Sequence, residues 1–318
     1  MSPLSDAHSI APGAAKTFLD TVLETAVRLG RRRIAMVYPC DLASLETSCE
    51  LQTLGVATVI LVGPREPLLK LAGLHRIDLS SFELIDSGPD ASSAAQMACG
   101  LACAGEVDML MKGALHTDDL MRAVVSRTHG LRGGGRVSHA FVLQLPDRPL
   151  PLIISDCVVN VAPTLPEKIE ILELTLKLAR ALGFGKPRAA VLSFTESILC
   201  AVQSTLDAAV IAKMAERGQI KDALVDGPLA FDNAVSPISA ASKGIESTVA
   251  GQADILLVPN LEAGNVLYKS LIYMGGAACA GVVLGTRKPV ILTSRTDNME
   301  SKVYSAALAS VLLEAALA

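Results

Sequence analysis

Two acids, Asp226 and Asp232, stand six residues apart in VDGPLAFDNAVSP (residues 225–237), across a Gly-Pro break that keeps them off one helical face. Nearby, DILLVPNLEAGNVLYK (residues 254–269) runs from apolar residues into Glu262, Gly264 and Asn265. In an α/β protein such junctions are the carboxyl ends of strands, where ligands bind. LMKGALHTDDLMRAV (residues 110–124) gathers Lys112, His116, Thr117 and Arg122 around a strand-to-helix junction. A helix N-terminus offers unpaired N–H groups and a positive dipole end, which suit an anion such as phosphate, and the two basic side chains add full charges. The plainer alternative is that Thr117 or Asp118 caps the helix while Arg122 is solvated. VILTSR (residues 290–295) ends an apolar run with a hydroxyl and a guanidinium. Ser294 could donate to a developing oxyanion and Arg295 could hold a phosphate in bidentate fashion, or the segment is simply a strand end capped by the next helix. His116 and His139 could serve as acid–base groups or sit half-buried and satisfied.

Positioning such residues requires a large scaffold, and the composition provides one. At 318 residues the chain exceeds one compact core, so two domains are expected. With 51% hydrophobic and 19% charged residues the chain is globular, and with aromatics at 3% and no Trp its core is aliphatic. Scarce aromatics and a net charge of -4 argue against nucleic-acid binding. No secretory signal is visible at the N-terminus, and the longest uncharged run (residues 270–286) is broken by four glycines, so no membrane span is expected. Seven cysteines without a CxxC pair fit reduced thiols in a cytoplasmic protein. Cys99 and Cys103 lie one helical turn apart without nearby His, so no metal site is expected.

Short β-rich runs at residues 33–39, 56–63, 82–86 and 107–113 alternate with longer periodic segments, which predicts βαβ units and a largely parallel sheet covered on both faces. Three prolines in residues 142–156 suggest a hinge. After it, Thr164, Pro166 and Glu167 announce a helix with a capping box, ended by Gly183. Further helices are expected over residues 204–217 and, amphipathic and returning to the first domain, over 300–317. GLRGGGR (residues 130–136) precedes a strand, so it reads as a mobile basic loop and not as a dinucleotide or P-loop motif.

Taken together, LMKGALHTDDLMRAV, GRVSHAFVLQLP, SDCVVNVAPTLPEK, STLDAAVIAKMAERGQI, VDGPLAFDNAVSP, DILLVPNLEAGNVLYK and VILTSR resemble, in the same order, the phosphate acetyl/butyryltransferase family. The resemblance covers about two thirds of the chain; the first hundred residues match only in general α/β character. It implies reversible transfer of a short acyl group between coenzyme A and inorganic phosphate, with coenzyme A as substrate and no metal or redox cofactor. It also implies two three-layer α/β/α domains of the isocitrate/isopropylmalate dehydrogenase type with a cleft between them, here 1–150 plus 290–318 and an inserted 151–289. A homodimer or larger assembly follows from the same resemblance. Fusions with an enoyl-CoA hydratase-like domain exist in the family, but no second activity is expected here.

Carried over by position, Ser294 matches the serine that stabilises the acyl-transfer oxyanion and Arg295 the adjacent phosphate-binding arginine. Arg122 lies in the region that contributes a second phosphate arginine, with Lys112, His116 and Thr117 beside it. Asp226, Asp232, Asn233, Glu262, Gly264 and Asn265 are assigned to the coenzyme A side. The family's aspartate base falls by spacing on Ser301, so Asp297 is the first choice of base, with Glu300 and Asp232 behind it. Two other readings compete: a metal-dependent NAD(P) dehydrogenase of the same fold, which would need a carboxylate cluster for a divalent cation, and a non-catalytic acyl-CoA-binding protein.

Overall fold

A computed structural model describes residues 16–127, 130–294 and 297–317. The first part alternates α1 (Phe18–Leu29), β1 (Arg32–Val37), α2 (Leu42–Thr53), β2 (Ala57–Gly63), α3 (Arg65–His75), β3 (Glu83–Asp86), α4 (Ala91–Ala104), β4 (Met109–Lys112), α5 (Thr117–Val124) and β5 (Ser138–Gln144). Then come β6 (Leu152–Ser155), α6 (Leu165–Ala181), β7 (Arg188–Leu192), α7 (Gln203–Glu216), β8 (Leu224–Leu229), α8 (Phe231–Val235), α9 (Pro237–Ser242), β9 (Ile255–Leu257) and α10 (Leu261–Tyr273). The chain closes with β10 (Ala278–Leu284), β11 (Val290–Ile291) and α11 (Met299–Leu317).

All eleven strands form one continuous sheet, ordered β3-β2-β1-β4-β11-β10-β5-β6-β9-β7-β8. Two parallel blocks, β3-β2-β1-β4-β11 and β6-β9-β7-β8, are joined by β5 and β10, which pair antiparallel with each other and with their outer neighbours. In the first block the sequence order of neighbouring strands reverses between β1 and β4. Open α/β sheets leave a crevice at such a point, beyond the carboxyl ends of the strands.

Period-two alternation explains the layers. Ile34 and Met36 of β1 share a core with Leu19, Leu45 and Leu308, from α1, α2 and α11. Ala35 and Val37 face the other way, onto Ala98 of α4 and Leu120 of α5. In the second block Ala189 and Val191 pack with Ile171 of α6 and Ile211 of α7, whereas Ala190 and Leu192 pack with Ala234 and Tyr268. Each fully buried Leu, Ile or Met contributes about 1.5–3 kcal/mol over its exposed state. The α/β/α layering is thus that of the expected fold class.

The capping box of α6 forms, with the Thr164 N–H donating to Glu167 at 2.7 Å. Two sequence readings change. The C-terminal helix α11 is not amphipathic: residues 301–310 are all buried, because it packs against α1, α2, α6 and β10. Residues 130–136 are tied down, with Arg132 bridging Thr286 and Arg136 ion-paired to Glu167 at 2.5 Å.

Candidate active site

At the carboxyl end of β4, Gly113 presses against β1; a β-carbon there would stand 2.6 Å from Val37 O and 2.7 Å from Tyr38 O. This close approach seats Lys112 beside residues 292–294, which follow β11. A cavity of about 470 Å³ opens here. Its polar wall contains Lys112, His116, Thr117, Asn265, Ser294 and Asp297, brought together from β4, the start of α5, α10 and the segment after β11. Its apolar wall is Leu115, Phe141, Cys157, Val158, Leu261, Tyr268 and Leu292.

Lys112 is buried, and its ammonium donates to Gly113 O at 3.3 Å and Leu115 O at 3.2 Å. It therefore places a fixed positive charge at the strand end. His116 is the N-cap residue of α5 without a side-chain capping bond, and Asp118 and Asp119 occupy the first turn. Those carboxylates already complement the helix dipole. The strongest attraction for an anion in this wall thus comes from Lys112, not from the end of α5.

Ser294 and Asp297 form a tight turn. The Ser294 N–H donates to Asp297 Oδ2 at 2.7 Å, and the Asp297 N–H donates to Ser294 O at 3.2 Å. Burial pushes the Asp297 carboxyl up, against the pull of the Ser294 N–H and of the positive charges of Lys302, Lys112 and Lys269. A carboxylate so placed accepts a proton more readily than an exposed one. Ser301, which spacing put in the aspartate position, is buried and receives a 3.5 Å contact from the Cys279 thiol instead. Glu300 accepts from the Tyr304 hydroxyl at 3.1 Å and does not line the cavity. Arg295 lies outside the described residues.

The opposite wall hangs on a residue that the sequence reading passed over, Asp156. Its buried carboxylate accepts the Val158 and Val159 N–H groups at 2.8 and 2.9 Å, the Ser138 hydroxyl at 3.0 Å and the Asn160 amide at 2.5 Å. This fixes the loop that presents Cys157 and Val158. Burial raises the Cys157 thiol well above its usual value, so it serves as apolar wall and not as a nucleophile. Phe141 stacks on Tyr268 at 4.2 Å and meets the edge of His139 at 4.5 Å. Burial drives His139 down to about 4, with Asp156 pulling the other way, so its ring is neutral.

Several expected site residues lie elsewhere. Arg122 is 73% exposed and pairs with Asp119 at 3.4 Å. Asp226 accepts the adjacent Gly227 N–H at 2.8 Å on the edge strand β8. Asp232 accepts the Ser239 hydroxyl, and Asn233 is fully buried, donating to Glu196 at 3.0 Å. These three lie on or just after β8, the outermost strand of the sheet, and do not line the cavity. Glu262 is exposed on α10 outside the cavity. Gly264 is a packing position, where a β-carbon would lie 2.8 Å from Val258 and 3.0 Å from the Cys157 sulfur. Among the described residues, no group of three His, Cys, Asp or Glu is placed to hold a metal ion.

The profile of the family described as "Phosphate acetyl/butaryl transferase" matches residues 90–310. A "Phosphate acetyltransferase" of Rickettsia felis is 45% identical over 300 residues, covering 94% of this chain and 85% of its own. A "Phosphate butyryltransferase" of Clostridium acetobutylicum is 39% identical, covering 88% of this chain and 93% of its own. Among solved structures, a branched-chain phosphotransacylase from Enterococcus faecalis V583 superposes with a TM-score of 0.76 at 28% identity, covering 89% of this chain and 99% of that one.

Proposed function

This chain belongs to the phosphate acetyl/butaryl transferase family and is an acyltransferase, and from that premise we propose how its cavity moves a short acyl group between coenzyme A and inorganic phosphate. The observation that carries the reading is the meeting of Ser294, Asp297 and Lys112 with an apolar wall in one cavity. The polar side suits a carbonyl, a thiol and a phosphate; the apolar side suits an acyl chain.

In the direction of thioester synthesis, Asp297 takes the proton of the coenzyme A thiol. A thiol of pKa ~8.5 is only a few per cent thiolate at neutral pH, so a positioned base adds rate. The thiolate attacks the carbonyl carbon of the acyl phosphate, and the Ser294 hydroxyl stabilises the oxyanion. The carbon–oxygen bond to phosphate then breaks and phosphate leaves against Lys112, with Arg295 as its further partner. The reverse reaction retraces these steps. The acyl chain lies along Phe141, Tyr268 and Leu292. Of the six residues assigned to coenzyme A, Asn265 is the one that lines the cavity, and we assign it the contact.

Both the 1–150 plus 290–318 portion and the 151–289 portion contribute residues to the cavity, and we take these portions as the two domains. We take the protein to act on small molecules as a cytoplasmic homodimer; separately, no helix among the described residues is long and apolar enough to cross a membrane. Ser294→Ala is the test of the site: kcat should fall by about 10²-fold, as for loss of one oxyanion donor, with far-UV circular dichroism unchanged. Near-normal turnover in this variant would remove Ser294 from the mechanism.

A further inference from the structure

Behind the polar wall lies a second, smaller recess that the mechanism leaves unused. It shares Lys112, Thr293 and Ser294 with the main cavity and is closed by Asp41, Ser44, Thr47 and Lys302. It lies beyond β1, β4 and β11 at the N-terminus of α2, where the strand order reverses.

Lys302 is the member without a structural explanation. It is only 7% exposed, and its ammonium makes no hydrogen bond or close ion pair among the described residues, acting on Asp297 through its charge alone. The stem is buried while the residue lines the recess, so its ammonium is a cation open to an anion that enters there. Two of the other polar groups are committed. Asp41 caps α2 by accepting the Ser44 N–H at 2.7 Å, and the Thr47 hydroxyl donates to Ala43 O at 2.6 Å. Asp41 is the acid that lines the recess beside Lys112 and Lys302, Asp297 feels both of their charges from the main cavity, and the α2 dipole adds to the positive side. The recess volume is about 10 Å³, space for roughly one water-sized atom. A whole phosphate does not fit, but one of its oxygens does.

We propose that the recess at the N-terminus of α2 receives one oxygen of the substrate phosphate, bound by the Lys302 ammonium, while the other oxygens stay in the main cavity against Lys112 and Ser294. This deepens the phosphate acyltransfer reading and rests on it. Lys302 thereby becomes a binding residue for phosphate reached from the far side of the wall.

The test uses Lys302→Met, which keeps the length and volume of the side chain without its charge, and Lys302→Gln as a second variant in case the first misfolds. Steady-state KM is measured for inorganic phosphate and for acyl-CoA, and inorganic phosphate alone is titrated in thermal unfolding. Loss of a charge-assisted hydrogen bond should raise the KM for phosphate about tenfold or more and leave the KM for acyl-CoA within about twofold. Thermal protection by phosphate should shrink in parallel. Unchanged phosphate KM and protection in both variants would overturn the proposal. So would a shift confined to the acid limb of the pH profile, which would mean that Lys302 acts through Asp297. If the wild type shows no phosphate-dependent thiol release, the functional reading fails on its own; the thermal titration still reports whether Lys302 holds phosphate.

Discussion

Lowering the pH from 7 to 5 should cost this protein stability through one buried ring, His139. The imidazole is fully buried on β5, and neither ring nitrogen has a hydrogen-bond partner. Burial lowers its pKa from 6.5 to about 4, with the Asp156 carboxylate opposing the shift. The folded protein therefore binds fewer protons than the unfolded chain between these values. Its stability is intact above the unfolded pKa of 6.5 and is lost as pH falls towards 4. Linkage over this interval amounts to about 3 kcal/mol in all, of which about 2 kcal/mol is gone by pH 5. His139→Phe removes the titration and two unsatisfied polar atoms while keeping an aromatic ring beside Phe141. Urea unfolding followed by far-UV circular dichroism, suited to a chain without Trp, should show wild type losing about 2 kcal/mol more than the variant between pH 7 and pH 5. Equal losses in the two proteins would show that His139 is not the group being protonated. Phe141 lines the cavity and touches His139, so activity should decline over the same interval.

Two further outcomes follow from the cavity. Asp297→Asn can still accept the Ser294 N–H, so the turn should persist while kcat/KM drops by about 10²-fold or more; because burial raises the Asp297 carboxyl, the wild-type acid limb in a pH–rate profile should lie above the ordinary carboxylate range, and the same limb in the variant would exclude Asp297 as base. Phe141→Leu opens the apolar wall, so the kcat/KM ratio for butyryl- over acetyl-CoA should rise by roughly tenfold, the worth of a methylene or two in a fitted pocket; an unchanged ratio would place the acyl chain elsewhere.

Much of the cavity was legible because its polar residues end or begin elements. Lys112 closes a strand, His116 immediately precedes a helix and Ser294 follows a strand end, so breakers and periodicity locate them without tertiary knowledge. The β1 and β2 runs and the α6 capping box were readable for the same reason. Spatial order was not. Asp226 and Asp232 carry the same local signature as the residues of the cavity, but β8 lies at the edge of the sheet, and no local pattern reveals which strand will be outermost. Asp156 was invisible as an anchor because one of its partners, Ser138, arrives from β5. The burial of residues 301–310 of α11 follows from α1, α2 and β10 closing around it, which its own sequence does not announce.

Thiol release from acetyl-, propionyl- and butyryl-CoA, each with and without inorganic phosphate and in the presence of EDTA, tests the central claim most directly. Release that requires phosphate and persists in EDTA is the predicted result, and the ranking of the three substrates names the preferred acyl group. Release at the same rate without phosphate, or none with any of the three, would contradict phosphate acyltransfer in this cavity.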